Sequence, residues 1–295
     1  MEKRGRFQRR YRQMNKKTKQ ICGWILLLLA IGFFVCQMTF LFLHARFQVE
    51  YSDERFFYFL NILSIVFLGL SILLLLKIGK KQKLIGGMVI VLFILVNGIL
   101  LAVDSTRTRN IVRLSPDYKH VLSIKENKET GQSIYYRTYF HIFAWPKETL
   151  PYKTTGDFKV YWLANDVAAV TYRAADHTIH QYIATYGDRG DGGYYYVGPS
   201  IYGRWSGGNI EVTSSQDGIK VIHNDGMDSF NWDQVVQFGT LAVVLTNNNE
   251  AVWTIALDEN FKVQSESLVP PIGDISIYKA TMEKSRPVTL KYAGS

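Results

Sequence analysis

Three uncharged apolar runs within residues 21–103 constrain this chain more than anything else in it. The first, 21–43, reads ICGWILLLLAIGFFVCQMTFLFL. The second, 56–76, reads FFYFLNILSIVFLGLSILLLL, and the third, 84–103, reads LIGGMVIVLFILVNGILLAV. About 20 apolar residues in a helix span the roughly 30 Å hydrocarbon core of a bilayer. Backbone groups in lipid must find their partners within the helix. Three such runs, each flanked by charge, predict three transmembrane helices rather than buried core helices of a water-soluble fold. The first run exceeds the 7–15 apolar residues usual in a signal peptide and lacks a good small-residue cleavage site after it. It is read as an uncleaved helix.

The basic residues set an orientation. Residues 1–20 carry nine Lys/Arg against one acidic residue, and the loop 77–83, KIGKKQK, carries four lysines. The loop 44–55 is net −1. Short loops rich in Lys and Arg stay in the cytoplasm. The expectation is therefore a cytoplasmic 1–20 tail, spans at 21–43, 56–76 and 84–103, a linker at 104–118, and an extracytoplasmic domain at 119–295. Residues 104–295 sum to −2, so the chain's formal charge of +9 is topogenic. It is not a basic patch on a folded domain, which argues against nucleic acid as a partner. The expected partners are the bilayer and anionic lipid headgroups at the basic tail, each basic residue contributing roughly 1 kcal/mol near such a surface. An envelope glycan or protein is the further candidate partner.

Both cysteines, Cys22 and Cys36, lie in the first run, so the C-terminal region has no disulfide to lean on. It also has no Asn-x-Ser/Thr acceptor. Together these point to a bacterial plasma membrane. Beyond residue 118, short Val/Ile/Tyr/Thr/Trp runs alternate with turn signals. Examples are FKVYW (158–162), VAAVTY (167–172), IHQYIAT (179–185), IKVIH (219–223) and AVWTIAL (251–257). That spacing predicts an all-β domain, a sandwich, a barrel or a propeller. A faint echo, in which V-x-W, VAAVTY and IHQYIA are answered by V-x-F, LAVVLT and AVWTIA, predicts two three-stranded meanders.

The segment YGDRGDGGYYY (186–196) is the candidate recognition loop. Asp188 and Asp191 can cap a turn or offer oxygens to a cation, and Arg189 is the middle candidate for receptor contact. Gly187, Gly190, Gly192 and Gly193 permit positive φ. If the loop is only a turn, replacing Arg189 should leave folding unchanged. Tyr194, Tyr195 and Tyr196 are expected on a strand, with Tyr195 opposing the other two, either in the core or as an aromatic surface for glycan or peptide. His177 and His180 lack metal-ligand spacing, and no metal or cofactor is expected. Ser276-Ile-Tyr-Lys279 matches S-x-x-K, but its context alternates like a strand, and the partner motifs are missing.

Each apolar run also carries one amide: Gln37, Asn61 and Asn97. All three fall about 7–9 Å below the same end of their spans at 1.5 Å per residue. The expectation is a polar cluster joining the helices, with Gly32, Gly69 and Gly98 easing close approach. Either the amides pair across helices, or each bonds within its own helix or faces a partner protein. The functional expectation is a multi-pass plasma-membrane protein displaying a β domain for binding or sensing. The alternative is an envelope hydrolase or transferase, with its catalytic residues unassigned.

Overall fold

The computed structural model describes residues 2–190, 194–263 and 270–294, with side chains from residue 16 onward. The chain divides into two compact units: Met1–Thr108 with Ile142–Pro146, and Arg109–His141 with Lys147–Ser295.

The first unit is helical. It comprises α1 (Glu2–Phe47), the two-residue strand β1 (Glu50–Tyr51), α2 (Arg55–Leu75) and α3 (Lys80–Arg107). All three helices are long and apolar enough to cross a membrane. The first and third run past the apolar limits read from the sequence at both ends, whereas α2 matches its run to within one residue at each end. Capping sets some of the ends: Gln82 accepts from the Gly79 backbone N–H at the start of α3. The surface is built from large apolar side chains: Leu28, Phe42, Leu84, Leu92 and Ile99 are all more than 60% exposed. Leaving each of them in water would forfeit about 1.5–3 kcal/mol.

Helix packing corrects part of the glycine expectation. A Cβ on Gly69 would overlap Ile90 of α3, so Gly69 does permit close approach, whereas Gly32 and Gly98 face open space. Gly23, not singled out by the sequence, lies against Leu75 of α2.

The second unit is all β. The stretch expected as a linker, 104–118, is instead the last turn of α3, the strand β2 (Thr108–Leu114) and a turn. Thr108, Ile111 and Val112 favour a pleated strand. Then follow β3 (Val121–Asn127), β4 (Ser133–Tyr139), β5 (Phe143–Thr149), β6 (Thr154–Ala164), β7 (Val167–Ala174) and β8 (Ile179–Thr185). The residues of β5 up to Pro146 belong to the first unit and pair there with β1. A four-residue helix, α4 (Val197–Ser200), precedes β9 (Gly203–Gly207), β10 (Ile210–Ser215), β11 (Gly218–His223) and β12 (Gly226–Phe230). One 3-10 turn (Trp232–Gln234) leads to β13 (Val235–Phe238), β14 (Ala242–Asn247), β15 (Glu250–Leu257), β16 (Asp274–Lys279) and β17 (Val288–Gly294).

The strands β9–β17 form one nine-stranded antiparallel sheet in the order β12-β11-β10-β9-β17-β16-β15-β14-β13. It curls into a nearly closed barrel around Trp205, Val212, Ile219, Leu245, Ile255 and Leu290. Across the opening, Trp253 Nε1 on β15 donates to Asp228 Oδ2 on the edge strand β12 (2.8 Å). The expected meanders both form, as β6-β7-β8 and β13-β14-β15. Only the first is a separate sheet; the second continues into the barrel.

The sheet β6-β7-β8 is a middle layer. One face, through Ala168, Val170, Tyr172, Tyr182 and Ala184, packs on Ile111, Leu122, Ile124 and Tyr135 of β2–β4. The other, through Val167, Ala169 and Ile183, packs on Leu241, Ala242, Val244, Ala256 and Tyr278 of the barrel. This is why VAAVTY shows no polar alternation: residues 167–172 are fully buried on both faces, as a strand covered on each side must be. The polar group between layers is satisfied, since Gln181 donates to Thr171 Oγ1 (2.9 Å) and accepts from Thr254 Oγ1.

Candidate functional site

The recognition loop turns its arginine inward. Arg189 lies beyond the end of β8, and its guanidinium grips Asp166 with Nη1 to Oδ2 at 2.6 Å and Nη2 to Oδ1 at 2.7 Å. Its Nε donates to the Asp258 carbonyl (2.7 Å), and its backbone N–H donates to Tyr195 Oη (3.0 Å). Only 6% of the Arg189 side chain is exposed. Arg189 therefore ties the 166, 189 and 258 turns together and is not presented to a receptor. The expectation that its removal would leave folding unchanged is replaced by the opposite. Asp188 Oδ1 accepts from Gly190 N–H (2.8 Å), a local turn bond. Gly187 and Gly190 are not in the positive-φ region; Gly187 is needed because a Cβ would overlap Asp166 Oδ2. Asp191, Gly192 and Gly193 lie outside the described residues.

Tyr194–Tyr196 belong to no strand. Tyr194 and Tyr196 are exposed and meet edge to face at 5.5 Å. Tyr195 packs against the barrel core. His177 sits in a turn at φ 71, while His180 is buried, stacked on Tyr152 at 3.7 Å. Among the described residues no group of three or more His, Cys, Asp or Glu side chains is placed to hold a metal. Ser276 lies on the strand β16 and donates to Asp258 Oδ1 (2.7 Å).

The three amides of the apolar helices come together. Gln37 Nε2 donates to Asn61 Oδ1 (3.0 Å) and to the Phe57 carbonyl (2.7 Å). Asn61 Nδ2 faces Asn97 Oδ1 at 3.5 Å, and Asn97 Nδ2 donates within its own helix to Phe93 O (2.9 Å). Both alternatives weighed from the sequence are thus present, the cross-helix bond at Gln37–Asn61 and the intrahelical bond at Asn97. The partner that sequence reasoning missed is Tyr51 in β1, whose hydroxyl donates to Gln37 Oε1 (2.8 Å). Burial pushes the Tyr51 phenol above its ordinary pKa, so it stays a donor.

A second site was not foreseen. At one end of the interface between β2–β4 and β6–β8 an open recess of about 340 Å³ is lined by Arg109, Glu126, Lys128, Glu129, Lys153 and Thr154. Glu126 is one of the lining residues, and its side chain is 3% exposed. Glu126 shares the face of β3 that carries Leu122 and Ile124, so it extends an apolar interface with a charge. Thr154 Oγ1 donates to its Oε1. Oε2 lies 3.5 Å from Arg109 Nε and has no hydrogen-bond donor among the described residues. Arg109 Nη1 donates instead to the Gly156 carbonyl. A buried carboxylate oxygen without a hydrogen-bond donor is costly, and the Arg109 guanidinium at 3.5 Å offsets part of that cost by charge. The recess thus sets Arg109, Lys128 and Lys153 beside the carboxylates of Glu126 and Glu129. The parity of VLSIKE on a strand buried on both faces was the signal that could have found Glu126.

Comparison of the chain with protein-family models, with curated proteins and with solved structures yields no match.

Proposed function

We propose that this chain is a multi-pass plasma-membrane protein that holds its β unit outside the cell as a binding module for a small polar ligand. The carrying observation is the Glu126 recess: an opening lined by Arg109, Lys128, Glu129 and Lys153, with the buried Glu126 carboxylate in its wall, one oxygen of which has an ion pair to Arg109 but no hydrogen-bond donor among the described residues. Such a site favours a ligand that combines an ammonium or hydroxyl donor with an anionic group, as amino acids, short peptides and acidic amino sugars do. Orientation rests on the strongly basic 1–20 and 77–83 segments.

The test uses the full-length protein in nanodiscs with alanine, dialanine and muramic acid as probes. Binding of at least one probe is expected, and Glu126→Gln should weaken it at least about tenfold, as loss of a charged hydrogen-bond partner does. No binding by any probe, or equal binding by the variant, would overturn the site. Orientation is tested separately by adding protease to intact wall-free cells, which should release the β unit.

A further inference from the structure

The turn between β4 and β5 has an unusual occupant. Phe140 (φ 52) and His141 (φ 64) are consecutive positive-φ residues. Hairpin turns that require this backbone ordinarily take Asn-Gly, because a side chain beyond Asn or Gly is strained there. Phe140 gains nothing from packing, since it is 86% exposed. The neighbouring β2–β3 turn repeats the pattern: Tyr118 has φ 61 and is 71% exposed. The two turns are tied together, His141 Nε2 donating to the Tyr118 carbonyl at 2.9 Å. Two exposed aromatics on strained backbone, held side by side, call for a partner that the β unit does not supply.

The chain itself indicates which partner. Two residues after Phe140, the Ile142 carbonyl accepts from Ser52 N–H (2.7 Å), and Phe143 and Ala144 pair with Tyr51 and Glu50. Those residues lie in the short connection between the end of α1 at Phe47 and the start of α2 at Arg55. Two residues of extended chain reach at most about 7 Å. The headgroup zone on each side of the hydrocarbon core is about 5–8 Å deep. Phe140 is therefore within reach of the headgroup zone at that end of the helices.

We propose that Phe140 and Tyr118 form an aromatic anchor that sits in the headgroup zone of the same bilayer that holds the helices. Interfacial aromatic rings prefer this zone, with an apolar body and a wet edge. Ile142, which is also partly exposed, extends the apolar tip. The anchor rests on the membrane reading above and is separable from it.

The experiment uses the full chain carrying Cys22→Ser and Cys36→Ser. An environment-sensitive fluorophore is attached at Lys119→Cys, beside the intact Tyr118, or at Met227→Cys on β12 as a control. Each protein is reconstituted into phosphatidylcholine–phosphatidylglycerol vesicles with headgroup spin-labelled lipid. Quenching at 119 should exceed quenching at 227 by about threefold or more, as expected of a site at the interface. Tyr118→Asn with Phe140→Asn, both suited to positive φ, should bring quenching at 119 down to the control value while the β unit's Tm in detergent holds or rises. Flotation with the vesicles but equal quenching at 119 and 227 would overturn the anchor alone. Failure to float would overturn the membrane reading and the anchor together. Unchanged quenching at 119 in the double variant would show that these two rings do not hold the turn at the surface.

Discussion

The two units of this chain bury opposite things. In the helical unit the large apolar side chains face outward, while Gln37, Ser71 and Asn97 are inside. In the β unit, Trp205, Leu122, Tyr172 and Ile255 are inside, and the charged residues mostly lie outside. Each unit nevertheless holds a polar knot at a critical point. In the helices it is neutral: amide to amide to amide, with a phenol attached. In the β unit it is ionic, Arg189 on Asp166. The difference follows from cost. A lone charge deep in hydrocarbon is prohibitive, whereas amides can satisfy one another there. The cost of the largely buried charged pair in the β unit is offset by its bidentate geometry and by the Asp258 and Leu257 carbonyls that Arg189 also meets. With the helices in a bilayer, as proposed above, each knot matches what its solvent tolerates.

The comparison is broken most directly at Arg189. Arg189→Ala leaves Asp166 largely buried without its cation, a change that costs about 3–5 kcal/mol. At 2–4 °C per kcal/mol for a domain of this size, the β unit's Tm should fall by roughly 6–20 °C. An unchanged Tm in a calorimetric scan would show that the ionic knot is dispensable.

The neutral knot should prove weaker. Leu in place of Gln37, Asn61 or Asn97 should each lower helix-bundle stability by about 0.6–2 kcal/mol, measured by steric trapping in bicelles. Losses matching that of Arg189→Ala would erase the contrast between the units. Tyr51→Phe sharpens the same point, because it removes only the donor to Gln37 Oε1. Its cost should be about 1 kcal/mol, a single net hydrogen bond, with helix content unchanged by circular dichroism.

The smallest effect is one of pH. Burial holds the His180 imidazole below its usual pKa, and His120 shifts the same way for the same reason. The unfolded chain therefore takes up protons first as pH falls through about 6.5. Stability conferred by the neutral rings is complete above that pH and declines below it. The β unit's Tm should be flat from pH 8 to 7 and drop toward pH 5.5. His180→Gln should reduce that drop, and a profile identical to the parent's would remove His180 from the account.

The helical unit was legible because apolar length and lysine placement are local properties of the sequence. The amide cluster was also within reach, since equal depth can be counted along each run; its tyrosine partner was not, because β1 has only two residues and no pattern. In the β unit the strands were legible from β-branched runs, but their assembly was not. Whether VAAVTY lies inside a sandwich or a barrel depends on what covers its second face, and that comes from residues 122–124 and 241–244. Arg189 misled because glycine and aspartate around it advertise a turn, while Asp166, its partner, lies 23 residues upstream. Residues 104–118 read as a linker because polar residues there hide a strand that begins directly after the helix.

The position of β17 has a consequence for how the molecule is made. It lies between β9 and β16, paired with each, so residues 288–294 join two meanders that are otherwise unconnected within the sheet. Without β17, β9–β12 and β13–β16 would be separate ribbons, each with two unpaired edges. Cooperative closure can occur only after the chain has emerged past residue 294. A stall or nick before that point leaves two sticky half-sheets rather than a smaller stable domain, so the step most exposed to proteolysis and aggregation is the delivery of one seven-residue strand.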